Sequence, residues 1–325
     1  MKFIISSSKN AYYNIASEEY LLNQSDDIFY LYQNAPAVIV GINQNTLAEV
    51  NYDYIRNNDI KVVRRLSGGG AVYHDLGNIN FCFIIRNGKK NDNGFEKYTK
   101  PIIDVLKTLG VEAKLEGRND LTIDGKKFSG NAKYICGDDL LQHGTILFNS
   151  KLEDIVSILN VDPDKFKDKA VKSVKSRVTN VSDYLKEPIT IDMFINQIVN
   201  HLKLLYPEAR EYRFSFKEKN EILKLQLNRY FQWDWNYGKT VLYNYAKSIR
   251  TKGGTIEVKM IVNKGYIKYL DFFGDFFTKK DIDDFKKIFI DIPHDYNNIN
   301  DILTQYPATD FFENINNDDI LSIIF

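Results

Sequence analysis

Hydrophobic residues recur along this chain with two different spacings, and the places where the spacing changes mark its elements. Apolar positions three and four apart over 14–22 predict a short helix, and the aromatic and β-branched runs at 28–32 and 37–41 predict two strands. Ile60-Lys61-Val62-Val63 and Ile79-Asn80-Phe81-Cys82-Phe83-Ile84-Ile85 read as two more. Thr99 is placed to cap a helix with Pro101 in its first turn, Ile102, Val105, Leu106 and Leu109 on one face, and Gly110 as its stop. Asp124-Gly125, set between Leu121-Thr122-Ile123 and Lys126-Lys127-Phe128-Ser129, is the strongest hairpin signal in the chain. A strand is expected over 142–149, followed by helices around 151–160 and, capped at Thr190, around 191–205.

The pattern resets near Lys252-Gly253-Gly254. Residues 255–262 alternate, Asn263-Lys264-Gly265 turns, and 266–273 returns as a partner strand, while Thr278 and Asp281 form a capping-box pattern for a helix through Phe289. Strands mixed with helices predict an α+β fold, with one domain over 1–248 and a small α+β domain over 249–325 beyond a Gly-Gly hinge.

Between the second pair of predicted strands lies Arg64-Arg65-Leu66-Ser67-Gly68-Gly69-Gly70-Ala71-Val72-Tyr73-His74-Asp75. Consecutive glycines let backbone N–H groups converge on one oxyanion, and Arg64 and Arg65 offer forked donors suited to phosphate. A glycine run between strands also serves as a wide turn or bulge, and the paired arginines tip the balance toward an anion site. The chain contains no Gly-x-x-x-x-Gly-Lys-Ser/Thr, no Gly-x-Gly-x-x-Gly and no Gly-x-Ser-x-Gly.

Composition narrows the setting. The chain has 325 residues, 44% of them hydrophobic, and its 43 basic and 43 acidic side chains cancel, so no global field draws it to nucleic acid or anionic lipid. Cys82 and Cys136 form no C-x-x-C pair, the polar start is not a signal peptide, and the apolar runs are short of membrane-spanning length. A cytoplasmic protein is expected, without membrane or nucleic-acid partners.

The chain resembles the lipoate–protein ligase A family, within the wider superfamily of biotin and lipoate protein ligases and octanoyltransferases. The resemblance is carried by the Arg64–Asn78 block, Gly117-Arg118-Asn119-Asp120-Leu121, Lys127-Phe128-Ser129-Gly130-Asn131-Ala132 and His143-Gly144-Thr145-Ile146-Leu147. It continues in Ser173-Val174-Lys175-Ser176-Arg177-Val178-Thr179-Asn180 and in Trp233-Asp234-Trp235-Asn236-Tyr237-Gly238. It implies a mixed β-sheet catalytic domain with a small accessory domain. The implied reaction has two steps: lipoate and ATP with Mg²⁺ give lipoyl-AMP and pyrophosphate, and a lysine of an apo lipoyl domain then takes the acyl group. The carriers implied are E2 subunits of 2-oxoacid dehydrogenases and the glycine-cleavage H protein, with the enzyme a monomer holding no tightly bound metal.

By the same resemblance Arg65, the backbone of Gly70, Ala71, Val72 and Tyr73, and Lys127 would bind the nucleotide, with Lys127 the catalytic cation. Ser67, Gly69, His74, Ala132 and His143, with Lys127, would bind lipoate, and Val72 and Tyr73 would wall its tail. Asn119 and Asp120 are candidates for ordering magnesium or phosphate, and Lys172, Ser173, Lys175 and Arg177 for a loop that closes over the adenylate. Taken singly, Lys127 reads first as an exposed hairpin lysine and 171–180 as a solvated basic face, while Asp120 reads equally as a cap on backbone N–H groups and His74 as a backbone-bonded histidine. Trp233, Trp235 and Tyr237 read as packing at a junction, and His201 and His294 as structural. Two rival functions remain: an ATP-independent octanoyl or lipoyl transfer through a Cys136 thioester, and a non-catalytic accessory subunit.

Overall fold

The computed structural model describes residues 1–92, 94–159, 177–238 and 245–325. Its strands are β1 (Lys2–Ile5), β2 (Ile28–Tyr32), β3 (Ala37–Val40), β4 (Lys61–Arg64), β5 (Val72–His74), β6 (Asn78–Ile85), β7 (Ala113–Glu116), β8 (Asp120–Ile123), β9 (Lys126–Cys136), β10 (Asp139–Leu147), β11 (Arg210–Glu211), β12 (Tyr245–Thr251), β13 (Gly254–Asn263) and β14 (Tyr266–Gly274). They form an eight-stranded mixed sheet in the order β11-β1-β2-β6-β10-β9-β8-β7, a small sheet β4-β3-β5, and a third sheet β12-β13-β14. The fold is the α+β arrangement expected from the sequence.

Side chains alternate between the two faces of a strand, and here both faces of the large sheet are covered. One face carries Phe29, Leu31, Phe81, Phe83, Ile146 and Phe128 into a core shared with helices Glu96–Thr108 and Ile191–Leu205. The opposite face carries Tyr30, Tyr32, Cys82 and Ile84 beneath helix Ala11–Leu22 and the small sheet. A separate core built on Val258, Met260, Phe272, Phe285 and Phe312 holds the third sheet to its helices. Asp124 (φ 50°) and Gly125 (φ 73°) form the tight β8–β9 turn the sequence predicts, and Thr190 caps its helix by accepting from the Met193 amide.

Four local expectations are corrected. Helix Glu96–Thr108 starts a turn before Thr99, whose hydroxyl bonds back to the Phe95 carbonyl at 2.9 Å, because Phe95, Tyr98, Thr99 and Ile102 all pack inward. Asp281 alone caps helix Ile282–Lys287, since the Thr278 backbone is engaged in a bridge to Phe312. Gly253 lies in the Lys252-Gly253 turn between β12 and β13, and Gly254 opens β13, so the pair sits inside the third sheet and is not a hinge between bodies. β12 runs unbroken across the expected 248/249 junction.

Arg64 holds the connections around the small sheet. It is 1% exposed, and its guanidinium donates to the carbonyls of Gly41 (2.8 Å), Gln44 (2.7 Å) and Trp235 (2.9 Å) and to the Thr46 hydroxyl (2.7 Å). The Arg64 amide donates to Asn236 Oδ1 at 2.8 Å, and Trp235 Nε1 returns a bond to the Arg64 carbonyl at 2.9 Å. Burial lowers the Arg64 pKa to about 10, which leaves it charged at neutral pH. The expectation that Arg64 offers itself to phosphate is therefore corrected: carbonyls of the chain occupy its donors, and Trp235 and Asn236 serve to build its cage. Arg64→Leu leaves these carbonyls buried without donors, so it is expected to cost about 3 kcal/mol or more, read as a lowered urea midpoint. An unchanged midpoint would contradict the caging role.

Candidate active site

The small sheet lies over the large one, and a cavity opens between them. From the small sheet, Ile39, Val72 and His74 share the inward face, because Ile39 pairs with Val72 and Ala37 with His74. From the large sheet, cross-strand partners on one face are Ala132 and His143, then Cys82 and Tyr30; beside them run Thr145, Asn80 and Tyr32. The cavity wall includes Ile15, Tyr32, Ile39, Val72, Ala132 and His143 toward its apolar part, and Asn119, Lys127, Gly130 and Thr145 toward the other. Alternation sends the Tyr73 ring to the opposite face, among Val38 and Val40, which corrects the expectation that it walls a ligand tail.

Lys127 reaches the cavity through an irregularity in pairing. Leu121 pairs with Ser129 and Thr122 with Lys127, so Phe128 is an extra residue in β9. Paired residues share a face; without this bulge Lys127 would stand with Leu121 and Ile123 in the core. With it, Lys127 joins Asp120 and Gly130 on the cavity side. Its amine lies 2.7 Å from Asp120, and a side chain at Gly130 would meet Lys127 Nζ at 3.0 Å. Beyond the undescribed stretch 160–176 the chain returns beside this strand: Val178 bridges to Lys127, and the Thr179 amide donates to the Lys127 carbonyl at 2.9 Å. Arg177 precedes that bridge and is exposed, while Lys172, Ser173 and Lys175 lie outside the described residues.

The glycine loop is shaped from within by Arg65. This side chain, 6% exposed, donates to the carbonyls of Ile39 (3.0 Å), Gly68 (2.6 Å) and Gly70 (2.9 Å) and to Ser67 Oγ (3.0 Å). Burial lowers its pKa to about 10. Gly69 takes φ +87°, and a Cβ there would crowd Arg65 and the Phe277 ring. The Gly69 amide donates to the Phe276 carbonyl of the third sheet's side at 3.3 Å. The amides of Gly70 and Ala71, which line the cavity, make no hydrogen bond among the described residues. Arg118 closes this side: it donates to the Gly253 and Asp275 carbonyls and lies 4.3 Å from the Phe277 ring centre.

Two histidines face the cavity in opposite settings. His143 Nδ1 lies 2.8 Å from the buried Glu18 carboxylate, and Nε2 lies 2.6 Å from Ser67 Oγ. A carboxylate only accepts, so Nδ1 carries a proton toward Glu18, while Ser67 Oγ accepts from Arg65 and meets His143 at Nε2. Tyr32 donates to the other Glu18 oxygen at 3.0 Å. Ser67, expected at the lipoate, is 1% exposed and occupied in this chain of bonds beneath the loop. His74, in contrast, is held by the Asn34 amide at 3.0 Å, and burial together with nearby Arg65 and His143 lowers its pKa to about 3. Glu18, Asn14 and Asn34 were missed by sequence reasoning. The signal was the placement of Asn14, Ser17 and Glu18 on the buried side of helix Ala11–Leu22, where an ordinary amphipathic helix is apolar.

Asn119 is used across the strands: its side chain donates to the Asn131 carbonyl, and its own carbonyl accepts from Asn131 at 3.0 Å. Cys136 sits at the far end of β9 from Lys127, about 30 Å of extended chain away, and lines no part of the cavity. His201 lies 3.9 Å from Asp104, and His294 donates to the Ile324 carbonyl at 2.7 Å, away from the site. Among the described residues no group of three or more His, Cys, Asp or Glu could hold a metal ion, and no helix is long and apolar enough to cross a membrane.

The family model for the lipoyl protein ligase A/B catalytic domain matches residues 10–203, and that for the bacterial lipoate protein ligase C-terminus matches residues 240–324. The chain belongs to the lipoate–protein ligase family. It is 39% identical over 317 residues to lipoate-protein ligase LplJ of Bacillus subtilis (strain 168), covering 96% of each chain. The crystal structure of P. falciparum LipL1 in complex with lipoate superposes with a TM-score of 0.80 at 29% identity, over 94% of each chain. A bi-partite lipoate protein ligase from Thermoplasma acidophilum, described with its E2 lipoyl domain, gives 0.65 at 27% identity, over 75% of this chain and 98% of that one. Among the blocks that carried the resemblance, the glycine loop, Lys127 and His143 meet at one cavity in this ligase.

A histidine held neutral by burial ties stability to pH. Below its unfolded pKa near 6.5 the unfolded chain takes a proton that folded His74 refuses, so its contribution is lost as pH falls toward 3. Wild type should therefore lose about 1.4 kcal/mol per pH unit relative to His74→Leu between pH 6 and pH 4, measured by urea unfolding. Parallel pH profiles would contradict this.

Proposed function

We propose that this ligase activates lipoate with ATP in the cavity between the sheets and transfers the acyl group to a lysine of an apo lipoyl domain. The carriers would be E2 subunits of 2-oxoacid dehydrogenases, the glycine-cleavage H protein, or both. The observation that carries this reading is the Lys127 amine, turned by the bulge onto the cavity that Gly70 and Ala71 also line, the amides of those two residues having no partner among the described residues. A carboxylate and an α-phosphate repel one another, and an ammonium between them with fixed N–H donors opposite reduces that repulsion as charge concentrates in the transition state.

In the first step a carboxylate oxygen of lipoate bonds to the α-phosphorus as the bond to the β-phosphate oxygen breaks, and pyrophosphate leaves. In the second, the carrier's amine bonds to the acyl carbon, the carbon–oxygen bond to AMP breaks, and the amine's proton passes to a base or to water. Asp120, paired with Lys127 at 2.7 Å, holds the cation in place. Mg²⁺ commonly takes one or two carboxylates plus phosphate oxygens, and Asp120 fits that donor set; the ion would supply charge neutralisation on the phosphates. Arg65 supports the nucleotide by fixing the loop's carbonyls inward so that its amides face the cavity. We extend the proposal to the third-sheet unit as an accessory domain and to 171–180 as the segment that closes on the adenylate.

Lipoate and ATP alone should release pyrophosphate before any carrier is added. Lys127→Ala should reduce that rate about 10²- to 10³-fold with folding intact, and an unchanged rate would sink the assignment. Cys136→Ser should retain full ATP-dependent transfer, whereas a trapped acyl-Cys136 in the wild type would favour the thioester route.

A further inference from the structure

His74 ends in a donor that the protein itself leaves unused. The orientation of its ring is fixed by a chain of amides beginning at the backbone. Asn14 Nδ2 donates to the carbonyls of Ser8 and Gln33, each at 3.0 Å, and to Asn34 Oδ1 at 2.8 Å. Asn14 Oδ1 correspondingly accepts from Ser6 and Tyr30 at 2.8 and 3.0 Å. With its oxygen turned to Asn14, Asn34 presents its N–H₂ to His74 Nδ1, so Nδ1 is an acceptor and the ring proton sits on Nε2. That Nε2–H is buried and has no partner among the described residues, in a residue that is 3% exposed and lines the cavity. Burial beside Arg65 and His143 keeps the ring neutral, so the donor is present throughout the physiological range.

The position of this donor along the cavity decides what it can meet. Lys127 stands on β9, and the sheet order β9-β10-β6-β2 puts Tyr32 three strand spacings away, about 14 Å. His74 is tied to Asn34, two residues beyond Tyr32, and the apolar side chains of the same wall include Ile15, Ile39, Val72 and Ala132. An acid with its carboxylate at Lys127 and its hydrocarbon along that wall brings its far end to His74.

We propose that His74 Nε2–H is a specificity-determining donor that recognises a dithiolane sulfur at the far end of the acyl chain, selecting lipoate over a plain straight-chain acid of the same length. The inference rests on the reading of this cavity as the lipoate site. Sulfur is a weak acceptor, yet octanoate offers none and leaves the buried N–H unpaired, and sites built around such a donor discriminate against ligands that cannot receive it.

Titration calorimetry of the full chain with lipoate and with octanoate, without ATP, tests it. Wild type should bind lipoate more tightly, and His74→Leu should weaken lipoate by about tenfold while changing octanoate by less than about twofold. His74→Gln, which retains an N–H donor, should keep most of the preference. A wild-type sample labelled with ¹⁵N-histidine avoids any question of folding: lipoate should shift the Nε2–H resonance downfield and octanoate should not. If both acids bind and the ratio is untouched in His74→Leu, or both move the resonance alike, the proposed selectivity is overturned while the site assignment stands. If folded wild type binds neither acid, both readings fall.

Discussion

The site depends on two arginines that the fold keeps for itself. Arg64 and Arg65 are adjacent on the chain and alternate in direction, so one reaches to the connection after β3 and the helix Trp233–Tyr237, and the other into the glycine loop. Backbone carbonyls have two lone pairs and are costly to bury unpaired, and a guanidinium gathers several at once. Together the two cations gather segments distant in sequence, from Gly41 through Gly70 to Asn236, and Arg65, at the cavity wall, holds the loop carbonyls of Gly68 and Gly70. The amides of Gly70 and Ala71, residues of the cavity wall, make no hydrogen bond among the described residues.

Around that loop the cavity sorts its polar groups by their neighbours. Glu18 gives His143 a carboxylate partner and closes a continuous path of donors from Arg65 through Ser67. Asn34 gives His74 only a neutral amide, near two other basic groups. The same side-chain type therefore serves as a linking element at one place and a fixed neutral donor at another, and the difference comes from helix Ala11–Leu22 and the chain just after β2.

Much of the scaffold was legible because local chemistry determines it. The Asp124-Gly125 turn, the Thr190 cap and the alternation of β13 each involve residues close in sequence, and each appears as read. The glycine loop, Lys127 and His143 were legible as a group through resemblance, and they line one cavity. Arg64 was read as a phosphate ligand because residue type carries no record of burial; its partners come from segments up to 172 positions away. Glu18 and Asn34 escaped for the same reason. Thr99 and Thr278 failed as caps because packing of Phe95 and bridging to Phe312 outweighed a modest capping preference.

The extra residue Phe128 has an implication for how such a site can be altered. The facing of Lys127 is a matter of counting: it is set by the number of residues between the Asp124-Gly125 turn and Gly130, not by their chemistry. Loss of one residue from that interval would keep the lysine, its aspartate and the glycine loop intact in composition. It would nevertheless rotate the amine into a layer of Leu121, Ile123 and neighbouring aromatics. Chain length in this short span thus sets which face Lys127 presents, and an alignment gap there moves that side chain between layers in a way that no substitution within the span does.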